Sequence, residues 1–226
     1  MGGYNVDSIS AITMTIARAK EIFGEDFIGP DELNSVADKF DIPKIVVENL
    51  QPISFTEDIL MSAKGNFILI LGVPNHSDGR ALTISSLRDI FGTDPSHSEP
   101  CMYNQDWYLR ENFASNTSLD NKWHLVRKEV IDSSRGEYPD RILLLVDKNE
   151  AFPSAILTTF SFFCMYIIRR KILWPDDYVW CEDKDHNGDR IYTGRYFDKE
   201  GINKNGFNIH RHLSIRNNYG LAPVIN

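Results

Sequence analysis

The densest group of side chains that could do chemistry surrounds Asn187-Gly188. Asp183, Asp185 and Asn187 precede this glycine at the spacing of the first half of a calcium-binding loop. The twelfth position of such a loop needs a bidentate glutamate, and here it is Gly194. Asn-Gly between strand-like runs also predicts a tight β-hairpin turn of type I′, with positive φ at both central residues. We favour the hairpin tip over a calcium site, which would use the carboxylates of Asp183, Asp185 and Asp189.

Aromatic and cationic residues recur through this hairpin and the residues that follow it. Side chains alternate along a strand, so part of this set shares one face. Exposed aromatic rings beside arginine suit stacking on sugars, on bases or on a protein partner. We favour a second small core under a curled sheet as the explanation of this aromatic set, with an exposed binding face as the alternative. The residues predicted to bind are Trp180, Arg190, Tyr192, Arg195, His210 and His212.

Metal and cofactor chemistry has weaker support. His210 and His212 would lie on one face of a strand and could bind a metal with a carboxylate. No third ligand stands at a motif spacing, so a solvated strand face is favoured. The loop at residues 72–79 follows an apolar run, where a phosphate could bind, but it lacks both glycine-rich phosphate motifs. We predict no metal and no cofactor.

Nucleophilic catalysis would need a cysteine or serine beside a base. The three cysteines have no CxxC spacing, which favours free thiols in a reducing compartment. Cys164 lies in an apolar run, and Cys181 precedes two acids that disfavour a thiolate. Cys101, near His97, is the strongest candidate nucleophile, and the sequence predicts no cysteine-dependent catalysis.

Composition narrows the class of protein. The 226 residues are 42% hydrophobic, enough for a sizeable core. The formal charge of −8 disfavours nucleic-acid binding, which needs cations to neutralise phosphates. No secretory signal is recognisable at the start, so a cytoplasmic location is expected.

Periodicity and capping signals predict an α+β protein. A helical portion at residues 1–95 surrounds one buried strand, and residues 107–226 form an α+β portion that ends in β-hairpins. The irregular residues 92–106 are the best internal boundary, and the two portions are expected to form one compact unit. The predicted helices are 7–23, 31–40, 54–65 with a capping box at Ser54 and Glu57, 83–91 capped by Thr83, 107–114, 139–145 and 153–173. The predicted strands are 67–71, 123–130 and those after residue 175.

Residues 151–168 contain no charge and are followed by Arg169-Arg170-Lys171. Eighteen uncharged residues with a basic flank meet the minimum for a transmembrane helix. Proline and hydroxyl residues within the run favour a helix buried in the domain instead. We therefore expect no membrane span, with membrane association as the alternative.

Several segments together resemble a family of uncharacterised bacterial proteins. They are residues 107–114, 123–129, 185–190, 194–197 and 220–222. This resemblance implies no catalytic residue, because no activity is known to us for that family. The end of the chain, with Trp180, Gly188, Gly194 and Gly220-Leu221, also resembles C-type-lectin-like domains of the formylglycine-generating type. The paired active-site cysteines of that class have no counterpart here.

The sequence contains no complete catalytic or cofactor motif. It favours non-catalytic binding of an unknown ligand or protein partner through the C-terminal β-rich face. The alternative is a metal- or cysteine-dependent hydrolase.

Overall fold

The computed structural model describes residues 14–94, 97–200, 205–211 and 214–225. The protein is α+β. The α-helices described are α1 (Ile16–Phe23), α2 (Pro30–Asn34), α3 (Ala37–Phe40), α4 (Glu57–Ala63), α5 (Ile84–Phe91), α6 (Asn112–Ser115), α7 (Pro139–Ile142) and α8 (Ala155–Cys164). The strands described are β1 (Phe27–Ile28), β2 (Phe67–Leu71), β3 (Trp123–Arg127), β4 (Glu150–Ala151), β5 (Tyr178–Lys184), β6 (Arg190–Tyr196), β7 (Gly206–His210), β8 (Tyr219–Gly220) and β9 (Val224–Ile225). Short 3₁₀ helices cover Gly24–Asp26, Val47–Asn49, Trp107–Arg110 and Asp132–Ser134, and a π-helix covers Met165–Arg169.

The strands form two sheets. The first has five strands in the order β1-β2-β3-β9-β4, with β1 and β2 parallel and the remaining pairs antiparallel. All five residues of β2 are buried, as its continuous apolar run predicts. The second sheet has four strands in the order β7-β6-β5-β8, in which only the β5–β8 pair is parallel.

The first sheet draws on both halves of the chain. Strands β1 and β2 precede residue 95, whereas β9 comes from the end of the chain and lies between β3 and β4. The helical portion therefore contributes a second strand, β1, beyond the single one predicted. The proposed boundary between residues 95 and 107 remains a prediction.

Helix α8 supports the inner face of the second sheet. All ten of its residues are buried, which confirms the prediction of a buried helix in this apolar run. Its Thr158 hydroxyl accepts a hydrogen bond from Thr193 of β6 at 2.9 Å, and Phe162 packs on Phe207 of β7 with ring centroids 4.6 Å apart. No helix in the described part of the chain combines the length and apolar character needed to cross a membrane.

Capping explains where some helices begin. Thr83 caps α5 as predicted, accepting from the Ser86 N–H. Helix α4 begins two residues later than predicted, because Thr56 rather than Ser54 caps it by accepting from the Ile59 N–H. Helix α1 begins at Ile16, since Thr15 has an extended backbone and caps it. The predicted start of that helix, at Asp7 or Ser8, lies outside the described residues.

Other predicted elements are shorter than expected. The helix at 31–40 is divided into α2 and α3, and the one at 107–114 into a 3₁₀ turn and α6. Strand β3 ends at Arg127, and α7 ends at Ile142. Helix α8 stops at Cys164 and continues only as the π-helix to Arg169, where Arg170 takes a left-handed conformation with φ 57°.

Candidate functional site

Three predicted binding residues lie side by side across the second sheet. Trp180 of β5 pairs with Tyr192 of β6, which in turn pairs with His210 of β7. The Tyr192 and His210 rings stack with centroids 5.5 Å apart and planes 7° apart. Trp180 meets Tyr192 edge-on, with centroids 5.0 Å apart. Strand pairing thus gathers this row on the outer face, opposite α8.

Much of this aromatic row is itself a small core. Trp180 and Tyr192 are buried with Tyr219 in a cluster separate from the main core. The Tyr192 and Tyr219 rings have centroids 4.7 Å apart. The second small core that the sequence favoured is therefore present. Any ligand on this face would meet the edges and polar ends of these rings.

A pocket of about 310 Å³ opens over the β6–β7 side of this face. Its walls combine six Tyr and Phe rings with several cations and amides. The lining comprises Tyr103, Gln105, Pro175, Asp176, Tyr178, Tyr192, Arg195, Tyr196, Phe197, Lys199, Asn208, His210, Arg216, Asn218 and Tyr219. Tyr192, Arg195 and His210 of the predicted set are thus brought together. The pocket's size and mixed lining are those of a small-molecule site.

Three lining residues carry a buried polar atom without a hydrogen-bond partner. These are Gln105 Oε1, Tyr192 OH and Asn208 Oδ1. Burial raises the pKa of Tyr192, and the neighbouring Tyr219 hydroxyl raises it further, partly as a weak acceptor whose geometry falls short of a full hydrogen bond. Burial also raises the pKa of Tyr178, while the Asn208 amide acts in the opposite direction. These phenols are therefore neutral at physiological pH and able to donate a hydrogen bond.

Arg195 forms one edge of the pocket through a fixed ion pair. Its guanidinium donates to both carboxylate oxygens of Glu99, at 2.8 and 2.6 Å. This hydrogen-bonded pairing with Glu99 raises the pKa of Arg195. The guanidinium also lies 4.3 Å from the centre of the Phe197 ring. Arg195 is thus held in place by two neighbours, and its charge is largely balanced.

Arg190 is placed differently from the other predicted residues. It lies with Trp180 beside a neighbouring cavity of about 320 Å³ on the same face. Its guanidinium stacks 4.5 Å from the Phe152 ring centre and donates to the Cys181 carbonyl at 2.9 Å. The β5–β6 pairing is irregular between Trp180 and Lys184, so this contact satisfies a carbonyl within that break. We assign Arg190 to support of the hairpin.

The hairpin turn differs from the predicted type I′ geometry. Gly188 has a positive φ of 89°, but Asn187 does not. The Gly188 N–H donates to the Asp185 carbonyl at 2.9 Å, and the Asp185 N–H to the Asp189 carbonyl at 2.9 Å. The Asp185 carboxylate accepts the Asn187 and Asp189 N–H groups as well, so this side chain organises the turn.

The three carboxylates of the tip do not act together. Asp183 accepts the Ala155 N–H at the start of α8, at 2.5 Å, and burial raises its pKa. Asp185 binds the guanidinium of Arg211. Within the described ranges, no group of three His, Cys, Asp or Glu side chains is arranged to hold a metal ion.

A buried glutamate anchors the tip to the rest of the fold. Glu111 accepts the His186 N–H at 3.0 Å and lies 2.5 Å from His186 Nδ1. Arg211 approaches the same carboxylate at 3.5 Å and stacks 4.3 Å from the Trp107 ring centre. These contacts set the position of the hairpin relative to the pocket.

Sequence patterns did not reveal several lining residues. Tyr103 and Gln105 belong to a segment without periodicity, and they reach the pocket because the Tyr103 N–H donates to the Phe207 carbonyl at 2.8 Å. Arg216 and Tyr219 follow the predicted set by a few residues, and no motif distinguished them. The remaining predicted residue, His212, lies outside the described residues.

The cysteines are buried, at 1% exposure or less. Burial raises the pKa of all three thiols, that of Cys101 to about 11. A thiol with a pKa near 11 instead of 9.0 has about a hundredfold less thiolate at neutral pH. These surroundings disfavour a thiolate nucleophile.

We expect iodoacetamide at neutral pH to alkylate each native cysteine at least about tenfold more slowly than the same cysteine in urea. Quantitative mass spectrometry of each cysteine peptide measures the rates. The urea-unfolded chain is the control, in which all three should react. Rapid alkylation of one native cysteine would instead support the hydrolase alternative, with Cys101 as the first candidate.

Comparison of the chain with models of protein families, with curated proteins and with solved structures gave no match. The resemblances to the bacterial family and to C-type-lectin-like domains therefore remain predictions.

Proposed function

We propose that this protein binds a small polar ligand, without chemical conversion, in the pocket on the outer face of the second sheet. The observation that carries the proposal is the set of three unpartnered buried atoms on residues of one pocket: Gln105 Oε1, Tyr192 OH and Asn208 Oδ1. This deepens the expectation of binding through the C-terminal β-rich face.

The unpartnered buried atoms carry an energetic cost. A buried polar group without a partner destabilises a folded protein by about 1–3 kcal/mol. Apolar residues of similar size at these positions would avoid that cost. Three such groups at one pocket favour a role in which small shifts of the lining side chains let a bound molecule complete the hydrogen bonds.

The shape of the site agrees with this function. Ligand pockets pair aromatic walls with a few positioned polar groups. Here Tyr192 is held on β6 and Asn208 on β7, whose pairing fixes Tyr192 opposite His210 and Gly194 opposite Asn208, whereas Gln105 lies in the segment that pairs with β7. Sites built on strands are held more rigidly than sites on loops.

The test combines a ligand screen with one substitution. Ligand-observed NMR would screen sugars, nucleosides, nucleotides and amino acids against the full chain. Tyr192→Phe removes the unpartnered hydroxyl and retains the ring. We expect it to weaken binding by about 2- to 10-fold, the loss of one neutral hydrogen bond, while the free energy of unfolding stays equal or rises by up to about 1 kcal/mol.

Tyr138→Phe is the matched control, because Tyr138 is exposed and lies outside this pocket. It should change neither binding nor unfolding. The proposal fails if no compound binds the unaltered protein. It also fails if Tyr192→Phe destabilises the fold and leaves binding intact, since the hydroxyl would then be structural.

The hydrolase alternative has one supporting feature. Glu111 orients His186, whose side chain is 64% exposed, as a buried carboxylate orients a general base. The contacts of this pair given above involve no cysteine, and all three thiols are buried. Binding therefore explains more of the structure than hydrolysis.

A further inference from the structure

The charge of the pocket is opposite in sign to that of the protein. The chain has a formal charge of −8. Yet the lining contains three permanent cations, Arg195, Lys199 and Arg216, and one carboxylate, Asp176. A local excess of positive charge at a concave site attracts anions.

Two of these cations remain available to a ligand. Glu99 balances Arg195. Arg216 and Lys199 are exposed, and no carboxylate of the described chain forms an ion pair with either. The charge of Arg216 also acts inside the pocket, because it counters part of the effect of burial on the pKa of Tyr192. An anionic group bound there would face two cations from separate segments.

The aromatic lining indicates which chemical group the ligand carries in addition to its anionic group. The rings of Tyr196 and Phe197 are 37% and 49% exposed, next to these cations. Solvent-accessible aromatic faces beside arginine and lysine are the features with which proteins stack planar bases and hold phosphates. The oxygens of Gln105 and Asn208 accept hydrogen bonds, so they match amino and ring N–H groups.

The volume limits the size of the ligand. At about 310 Å³, the pocket is at the lower end of the range of about 300–1,000 Å³ for small-molecule sites. We infer that the ligand joins a planar nitrogen-bearing ring to a phosphate group, as a nucleoside monophosphate does. Arg216 and Lys199 hold the phosphate at the mouth, and the ring lies among Tyr196, Phe197 and Asn208.

This inference rests on the proposed function, and paired ligands separate the two. Isothermal titration calorimetry on the full chain would compare four nucleosides with their 5′-monophosphates, together with ribose 5-phosphate and inorganic phosphate. We expect at least one monophosphate to bind about tenfold or more tightly than its nucleoside. Raising the salt concentration from about 50 to 500 mM should reduce this difference by screening the charges.

Arg216→Gln should remove most of the preference for the phosphate. Arg110→Gln is the matched control, since Arg110 is also exposed and lines none of the cavities described above. It should leave the preference unchanged. Loss of the preference in both variants would show a general charge effect and overturn the assignment of Arg216.

The remaining outcomes are distinct. If nucleosides bind as tightly as their monophosphates, the ligand needs no phosphate and only this inference falls. Inorganic phosphate binding as tightly as the nucleotides would overturn the role of the ring. If no nucleotide binds but another compound of the NMR screen does, the inference fails and the proposed function stands. If nothing binds in either experiment, both fail.

Discussion

Replacing Phe163 by alanine is expected to lower the free energy of unfolding by about 3–5 kcal/mol, the usual cost of deleting a large buried ring. Phe163 is completely buried on α8. Its ring stacks on Phe91 with centroids 4.2 Å apart and planes 14° apart, and it also contacts Phe162 and Phe207 edge-on. One side chain therefore joins α5, α8 and β7.

Urea denaturation followed by circular dichroism measures this effect, with an unchanged dependence on urea showing that the unfolding reaction is the same. Leu144→Ala is the control, because Leu144 is 84% exposed and should change stability by less than about 0.5 kcal/mol. A loss below about 1 kcal/mol for Phe163→Ala would show that α8 does not pack as described.

Replacing Gly206 by alanine is expected to cost about 2–4 kcal/mol and to weaken ligand binding as well. Gly206 has a φ of 131°, which residues with a Cβ rarely adopt. An added Cβ would also lie 2.7 Å from the Met102 carbonyl carbon and 2.7 Å from the Tyr103 nitrogen. These are backbone atoms, so the clash cannot be relieved by rotating a side chain.

Gly206→Ala should also weaken ligand binding, because the pairing of β7 with residues 101–103 holds one wall of the pocket in place. The Phe207 N–H donates to the Cys101 carbonyl at 2.8 Å, and this pairing carries Tyr103 and Gln105 to the pocket. Moving the two backbones apart would open one wall. Thermal and urea unfolding, with calorimetric titration of any ligand found in the screen, measure both effects.

The Gly65→Ala variant distinguishes the cost of a left-handed backbone conformation from the cost of the steric clash expected at Gly206. Gly65 has a φ of 83°, and a Cβ there meets nothing within 4 Å. We expect it to cost only about 1–2 kcal/mol, from the left-handed conformation alone, and to leave binding unchanged. Equal losses at the two glycines would contradict the close approach of Gly206 to residues 101–103.

Local patterns in the sequence determined several elements correctly. The continuous apolar run of β2 indicated burial on both faces, and Thr83 marked the start of α5. Helix α8 and the hairpin of β5 and β6 were also recognisable. In each case the determining interactions lie within a few residues, so a short window of sequence contains them.

Short stretches of sequence predicted the wrong helix cap and the wrong turn type where neighbouring side chains compete for backbone N–H groups. Ser54 and Thr56 are both able to cap a helix, and Thr56 is the residue that caps α4. The turn at Asn187-Gly188 took a wider form because the Asp185 carboxylate binds two N–H groups of the turn. Side chains outside the dipeptide decided its conformation.

The pocket was decided by tertiary structure. The sequence singled out Tyr192, Arg195 and His210 as aromatic and cationic residues of the C-terminal strands, and alternation placed only part of that set on one face. It could not reveal Gln105, which lies about a hundred residues before Asn208 in the same lining. Nor could it place β9 between β3 and β4. Such pairings are chosen by the packing of the whole core, which no local pattern encodes.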